Sequence, residues 1–360
     1  MRIGFDARMI THPGIGTYIR NLLSAMTQQL KSEELVLFGE ADNLFEYKNA
    51  TIIEYKVGIY SFKELFSNPF KGHDLDLVHV PHFNAPLAKI NNLVITIHDL
   101  IYLKFNESSS FAKKAAGRLV ISRAVKNARK IIAVSENTLR DIEQYFPNSK
   151  GKIEVIYEDS DPVFLKNINS NKIQEIKKKY NLPDKIILFV GTLKKHKNIE
   201  RLVDAYLSMK NRGIEHLLVV VGRYRPQEPE ILKKINSSGA VYLGEVPLDD
   251  LIAIYNFATV LVIPSLYEGF GLPALEAMTC GLPVVSSCLA SLPEVIGEAG
   301  VLFNPYDVSD MTNKIISVLV DEKFRQGLIN KGRQRLEKFS WQKTAQETLR
   351  IYKEVSKTNL

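Results

Sequence analysis

Cysteine is nearly missing from this chain, with only Cys280 and Cys288 in 360 residues. Two thiols build no disulfide framework and show no metal-type spacing. Their apolar neighbourhood predicts small buried side chains in a reducing compartment. Long apolar runs are missing as well, and none approaches the ~18 residues that a membrane span requires. The opening stretch MRIGFDARMI reads directly as a strand and lacks the charged-then-apolar design of a signal peptide. The expectation is a cytoplasmic protein. No acidic cluster offers a metal site, and no short repeat or low-complexity tract is visible. Charge of neither sign accumulates: the net value is +7, and Lys plus Arg total 47 against 40 Asp plus Glu. A modest basic excess suits nucleic acid, a membrane surface or an anionic small molecule, and composition does not choose among them.

What is present is a regular alternation. Short β-branched runs recur at 2–7, 34–39, 51–57, 76–80, 93–99, 130–135 and 152–157. A second series follows at 185–191, 216–222, 240–244, 259–265, 283–287 and 300–303. Amphipathic segments separate them, a pattern that predicts parallel sheets with helices on both faces. At this length two cores are expected. The fold class is therefore α/β, with two doubly wound parallel-sheet domains facing each other across a cleft. Ligands of such sheets bind at the carboxyl ends of the strands. The polar stretch 158–172 reads as the linker. Domains are placed at 1–165 and 166–340. In NIERLVDAYLSMKNRG (198–213), Ile199, Leu202, Val203, Tyr206 and Leu207 form an apolar stripe, Asn198 is the expected N-cap and Gly213 the stop.

Four places carry residue types suited to chemistry. In THPGIGTYIRNLL (11–23), Gly14 and Gly16 precede a helix and would let backbone approach an anion. Glu40 follows the second strand, where the acid of a dinucleotide site would sit. Ile19 nevertheless stands where that fingerprint needs its third glycine, and Ala7 is too far from Gly14 for its tight turn. In ITIHDL (95–100) a strand ends on His98 and Asp99, which suits a hydroxyl or phosphate partner or a simple loop tether. In FVGTLKKHKNIERL (189–202), Lys194, Lys195 and Lys197 crowd a helix start. Three cations there oppose the helix dipole unless an anion is bound.

The fourth place is YEGFGLPALE (267–276), lying between an apolar strand and a helix. Gly269 and Gly271 free the loop, so that the N–H groups of Phe270, Gly271 and Leu272 can address a sugar or phosphate. Glu268 and Glu276 can each accept a pair of vicinal hydroxyls. Two such carboxylates around one anion nest describe a nucleotide sugar. The stretch 111–130 holds Lys113, Lys114, Arg118, Arg123, Lys126, Arg129 and Lys130 and no acid, with Phe111, Ala115, Leu119, Val120 and Ala124 at helical spacing. It reads either as a peripheral contact with an anionic membrane or as a core-facing helix with solvated lysines.

These motifs, in this order, resemble glycosyltransferase family 4, the retaining enzymes of the twin-Rossmann GT-B fold. The resemblance spans nearly the whole chain and is most specific over 242–300. It implies that Glu268 serves the donor sugar, Glu276 the ribose and Lys197 the diphosphate. The amides of Phe270, Gly271 and Leu272 would cradle the donor, with Gly191 in the same set and Val246 near the base. His98 would face the donor sugar, and the last helix (341–360) would pack back on the first domain. The family usually has arginine where His196 stands, so diphosphate binding leans on Lys197, Lys195 or Arg223. The usual hinge glycine is replaced within Asp159-Ser160.

The implied activity is metal-independent transfer of a hexose, mannose or glucose, from a nucleotide diphosphate sugar to a glycan or lipid-linked acceptor. No further cofactor and no nucleic acid partner are implied. A non-catalytic assembly subunit and a nucleotide-sugar epimerase are the alternatives.

Overall fold

The computed structural model describes residues 1–105 and 111–357, with side chains except at 62, 111–114 and 116. Thirteen strands form among them, one for each β-branched run. In the N-terminal unit these are β1 Arg2–Asp6, β2 Glu34–Gly39, β3 Thr51–Glu54, β4 Leu77–Val80, β5 Leu93–Ile97, β6 Lys130–Ala133 and β7 Ile153–Val155. They make one parallel sheet in the order β3-β2-β1-β4-β5-β6-β7. The strand order reverses between β1 and β4, the switch point where such a sheet opens a crevice. Successive side chains alternate between faces. Leu35 and Leu37 join one core with the helix Ile15–Thr27, while Val36 and Phe38 join a second core with Ile121 and Ala124.

The C-terminal unit holds β8 Ile186–Val190, β9 Leu217–Val221, β10 Val241–Gly244, β11 Val260–Ile263, β12 Val284–Ser287 and β13 Gly300–Phe303. Its parallel sheet runs β10-β9-β8-β11-β12-β13, with the switch point between β8 and β11. Strands β9 and β11 are buried almost throughout, which is why they read as unbroken apolar runs. The two sheets with their flanking helices give a two-domain, Rossmann-like GT-B fold.

The N-terminal unit comprises Met1–Glu158 and the segment from Phe339 onward, and the other unit is Asp159–Lys338. The change of unit falls before Asp159 rather than at 165. Residues 158–172 are also more ordered than a polar linker. Asp161 caps a turn of helix at Pro162–Leu165, Phe164 is buried edge-on to Tyr255 at 5.6 Å, and a helix starts at Ser170 with Asn169 as its cap. The helix Trp341–Lys357 packs on Ile15–Thr27, with Trp341 6.0 Å from Tyr18 and the Tyr352 hydroxyl 2.5 Å from His79 Nδ1. Residues 358–360 of the expected last helix lie outside the described residues.

Three expectations about burial change. The helix Ile199–Asn211 buries Ala205 and Met209 and leaves Leu207 at the exposed edge of its stripe. Asn198 occupies the N-cap position of that helix, but at φ +57° its side chain makes no capping bond and its amide is spent elsewhere. In the helix Phe111–Asn127, Ala124 of the expected stripe is buried and Val120 half-buried, but Ala115 and Leu119 are exposed, and Ile121 and Val125 join Ala124 in the buried set, so the buried face is rotated from the expected one. The side chains expected from Phe111, Lys113 and Lys114 lie outside the described residues. Cys280 is half-buried and Cys288 exposed, against the expectation of two buried thiols. Among the described residues no helix is long and apolar enough to cross a membrane.

Candidate functional site

The switch point of the C-terminal sheet brings two of the expected residues together. Strands β8 and β11 are neighbours, pairing Ile187 with Val260, so the loops that leave their carboxyl ends meet. Lys197 Nζ, from the first loop, lies 2.7 and 2.8 Å from the two carboxylate oxygens of Glu268 in the second. The Ser265 hydroxyl donates to Glu268 Oε1 at 2.6 Å. The pair is mostly enclosed, with the lysine 20% and the glutamate 14% exposed. Burial favours the protonated acid, yet Lys197 and Ser265 outweigh it and hold Glu268 below the ordinary carboxylate range.

The loops themselves are tied by backbone. Leu266 N–H donates to the His196 carbonyl at 2.7 Å, and the Asn198 amide donates to the carbonyls of Pro264 (3.0 Å) and Pro305 (2.8 Å). His196 is buried, and burial beside Lys197 pushes its imidazole down to about 3, so it stays neutral. Ser291 is buried, and its hydroxyl lies 3.0 Å from the Glu268 carbonyl and 2.7 Å from that of Phe270, which fixes the glycine loop from behind.

Gly271 has φ +117° and precedes the helix Leu272–Thr279, whose first turn carries no acid; Pro273 there has no N–H, and the Ala274 N–H donates to the Gly271 carbonyl at 2.9 Å. Phe270 turns its ring into the core. On that helix Glu276 is half-buried and accepts a 2.8 Å bond from the buried Tyr255 hydroxyl. Burial pushes its carboxyl up to about 7, against the pull of Tyr255. The two glutamates of one motif are thus shifted in opposite directions, Glu268 down by a cation and Glu276 up by burial.

Close packing sets the lysine loop. A Cβ on Gly222 would meet the Gly191 carbonyl at 2.1 Å, and Gly191 in turn lies under the Lys197 chain. Lys195 and Arg223 are exposed, and Val246 is half-buried after β10.

In the N-terminal unit Gly14 is exposed at φ +81° and opens the helix Ile15–Thr27, with open space where its side chain would be. Gly16 is different. A Cβ there would strike the Ile10 carbonyl at 2.4 Å, so the chain's own backbone takes up the approach that the sequence reserved for a ligand. His98 follows β5; its Nδ1 is 2.8 Å from Glu158 Oε1 and its Nε2 3.1 Å from the Pro81 carbonyl. Among the described residues, no three His, Cys, Asp or Glu side chains converge as a metal site.

The Glycosyl transferases group 1 model matches residues 172–335, and the Glycosyltransferase Family 4 model matches residues 13–158. The chain belongs to glycosyltransferase family 4. Among its relatives is the serotype-specific mannosyltransferase WbdA of Escherichia coli, 34% identical over 77% of this chain. The chain spans only 35% of the length of that relative. O-antigen chain mannosyltransferase B of Escherichia coli is 28% identical, with 98% of this chain and 100% of the other covered. A sucrose-phosphate synthase from Thermosynechococcus elongatus shares the fold at a TM-score of 0.77 and 20% identity, covering 99% of each chain. Within this family 4 chain, the residues that sequence reading missed are the supports Ser265, Ser291, Tyr255 and Glu158, and it gave Asn198 the role of a cap instead of a tie between loops. Single serines, tyrosines and asparagines carry no spacing signal, so only their partners identify them.

Proposed function

We propose that this chain is a retaining hexosyltransferase of cell-surface polysaccharide or glycoconjugate synthesis. It takes a hexose, mannose before glucose, from a nucleotide diphosphate sugar and places it on a hydroxyl of a glycan or lipid-linked acceptor. GDP-mannose is the favoured donor and UDP-glucose the next. The observation that carries this reading is the Lys197–Glu268 pair at the switch point of the C-terminal sheet. The mannosyltransferase names of the relatives support the choice of sugar.

In this reading Lys197 and the N–H groups of Gly271 and Leu272, at the positive end of the helix Leu272–Thr279, neutralise charge on the departing diphosphate. Glu276 accepts the ribose hydroxyls and Glu268 those of the sugar. Glu268 is a poor candidate for the nucleophile of a double displacement, because Lys197 and Ser265 already occupy its oxygens and depress its basicity. Front-face transfer fits better. The acceptor oxygen bonds to the anomeric carbon, the bond from that carbon to the diphosphate breaks, and the acceptor proton passes to the leaving phosphate oxygen.

No metal ion or further cofactor is assigned a role. The enzyme would work at the cytoplasmic face. The helix Phe111–Asn127, which exposes Arg118, Leu119, Arg123 and Lys126, would supply any peripheral contact with anionic lipid.

Calorimetric titration with GDP, UDP and ADP, of wild type and Glu276→Ala, tests the donor side. Tight binding of one nucleotide, lost in the variant, is expected. Equal binding by both proteins would remove Glu276 from the site, and a product of inverted anomeric configuration would overturn the mechanism.

A further inference from the structure

We infer that Glu158 holds His98 as a doubly protonated imidazolium, making His98 a fixed positive charge and hydrogen-bond donor rather than a proton acceptor. Nδ1 faces a carboxylate oxygen at 2.8 Å and Nε2 faces a carbonyl oxygen at 3.1 Å. A carbonyl only accepts, and so does an ionised carboxylate. Beside an ionised Glu158, a neutral imidazole, with its one N–H, would leave one of these contacts lone pair against lone pair. Two N–H donors satisfy both.

The surroundings make the charge tenable. Glu158 is 4% and His98 14% exposed, so the pair is little screened by water. Tyr18, from the helix Ile15–Thr27, sets its ring edge-on to His98 at 4.8 Å, with its phenol neutral because burial pushes its pKa up. Asp99 adds a second negative charge from the adjoining residue. His79 on β4 and His82 just after it complete the titratable neighbours. These two give an internal comparison. Both are buried without a carboxylate partner, and burial pushes both down to about 3. Burial presses His98 the same way, but the Glu158 hydrogen bond and charge reverse the sign and its pKa ends above the ordinary histidine value. The Glu158 carboxylate, with Asp99 behind it, separates the charged histidine from its two neutral neighbours.

Glu158 is therefore a positioning residue that acts through His98. It fixes the ring plane, and it fills the proton-accepting nitrogen that a general base would need. This rests on the proposed function only where it concerns sugar transfer. There the acceptor proton has to leave by another route, and a sugar oxygen approaching His98 meets a donor in place of the Pro81 carbonyl.

The test is a ring-nitrogen NMR titration of the full chain, with the His98 signals assigned by their loss in His98→Gln. Wild type should keep protons on both nitrogens of His98 through neutral pH. In Glu158→Gln the titration should fall below the ordinary histidine value, and the alkaline limb of the turnover profile should move to lower pH with it. A neutral His98 tautomer in wild type at neutral pH would overturn the inference, as would an unchanged titration in the variant. Should Glu158→Gln fail to fold, the wild-type titration still decides. The NMR result needs no sugar transfer, so it stands or falls separately from the glycosyltransferase reading.

Discussion

Replacing Lys197 by Met keeps most of the side chain's volume and deletes its charge. Glu268 is then left in a mostly enclosed site with the Ser265 hydroxyl on it and no cation. Removing one partner of a fully buried pair costs about 3–5 kcal/mol, and this pair retains some access to water, so about 2 kcal/mol is expected near neutral pH. The sign of the pH dependence follows from Glu268. In wild type its pKa is depressed, so the contribution of the pair is full above the ordinary carboxylate value and fades as pH falls through the depressed one. In Lys197→Met burial has no cation to oppose it, and Glu268 takes up a proton more readily. The stability gap between the two proteins is therefore widest near neutral pH and closes in acid.

Turnover should drop about 10²–10³-fold with the loss of a preorganised cation. The double variant Lys197→Met/Glu268→Gln should recover stability to within about 1 kcal/mol of wild type, because replacing both charges leaves no orphan. It should not recover turnover. Urea unfolding at several pH values and a donor-turnover assay measure both halves. Near-full turnover in Lys197→Met, or a stability gap equally wide in acid, would mean that the Lys197–Glu268 pair plays neither part.

Nucleotide affinity should weaken about tenfold between about pH 8 and about pH 6, because Glu276 titrates near 7 and only its ionised form accepts two hydroxyls. Glu276→Gln should flatten that dependence in a calorimetric pH series; a slope that persists would assign it to another group. Gly222→Ala should cost about 1–3 kcal/mol and lower nucleotide affinity by displacing the Gly191 carbonyl under Lys197. Gly244→Ala, at φ +71° with open space around it, should cost about 1 kcal/mol and leave affinity alone. Thermal unfolding and titration of the two proteins compare them directly.

The architecture was legible because parallel strands covered on both faces need unbroken β-branched runs, and VLVI at 260–263 or LLVVV at 217–221 can hardly be read otherwise. The glycine loop was legible for a similar reason, since Gly271 at φ +117° is a backbone demand written as a residue type. Pairings between distant loops were not. Lys197 and Glu268 are 71 positions apart, and nothing in either stretch says that the two charges meet. Asn198 looked like a helix cap because its position suits one; its amide instead bridges Pro264 and Pro305, which a linear reading cannot supply. Gly16 misled in the opposite way. A glycine before a helix signals close approach but not by what, and here the visitor is the chain's own Ile10. The exposed Leu119 and Leu207 show the remaining weakness, because an apolar stripe gives an arc of the helix but not how far its neighbour covers that arc.

The return of the helix Trp341–Lys357 to the first sheet makes the second unit an insertion within the first. During synthesis all of Asp159–Lys338 leaves the ribosome before the N-terminal unit has its last wall. Until then Tyr18 lacks its Trp341 neighbour, and His79 lacks the Tyr352 hydroxyl. The C-terminal unit is one continuous stretch and can mature first, while the N-terminal unit, though made earlier, must wait. A stop codon near 340 would therefore spare the C-terminal nucleotide-binding candidate and unmake the half of the protein encoded farthest from it.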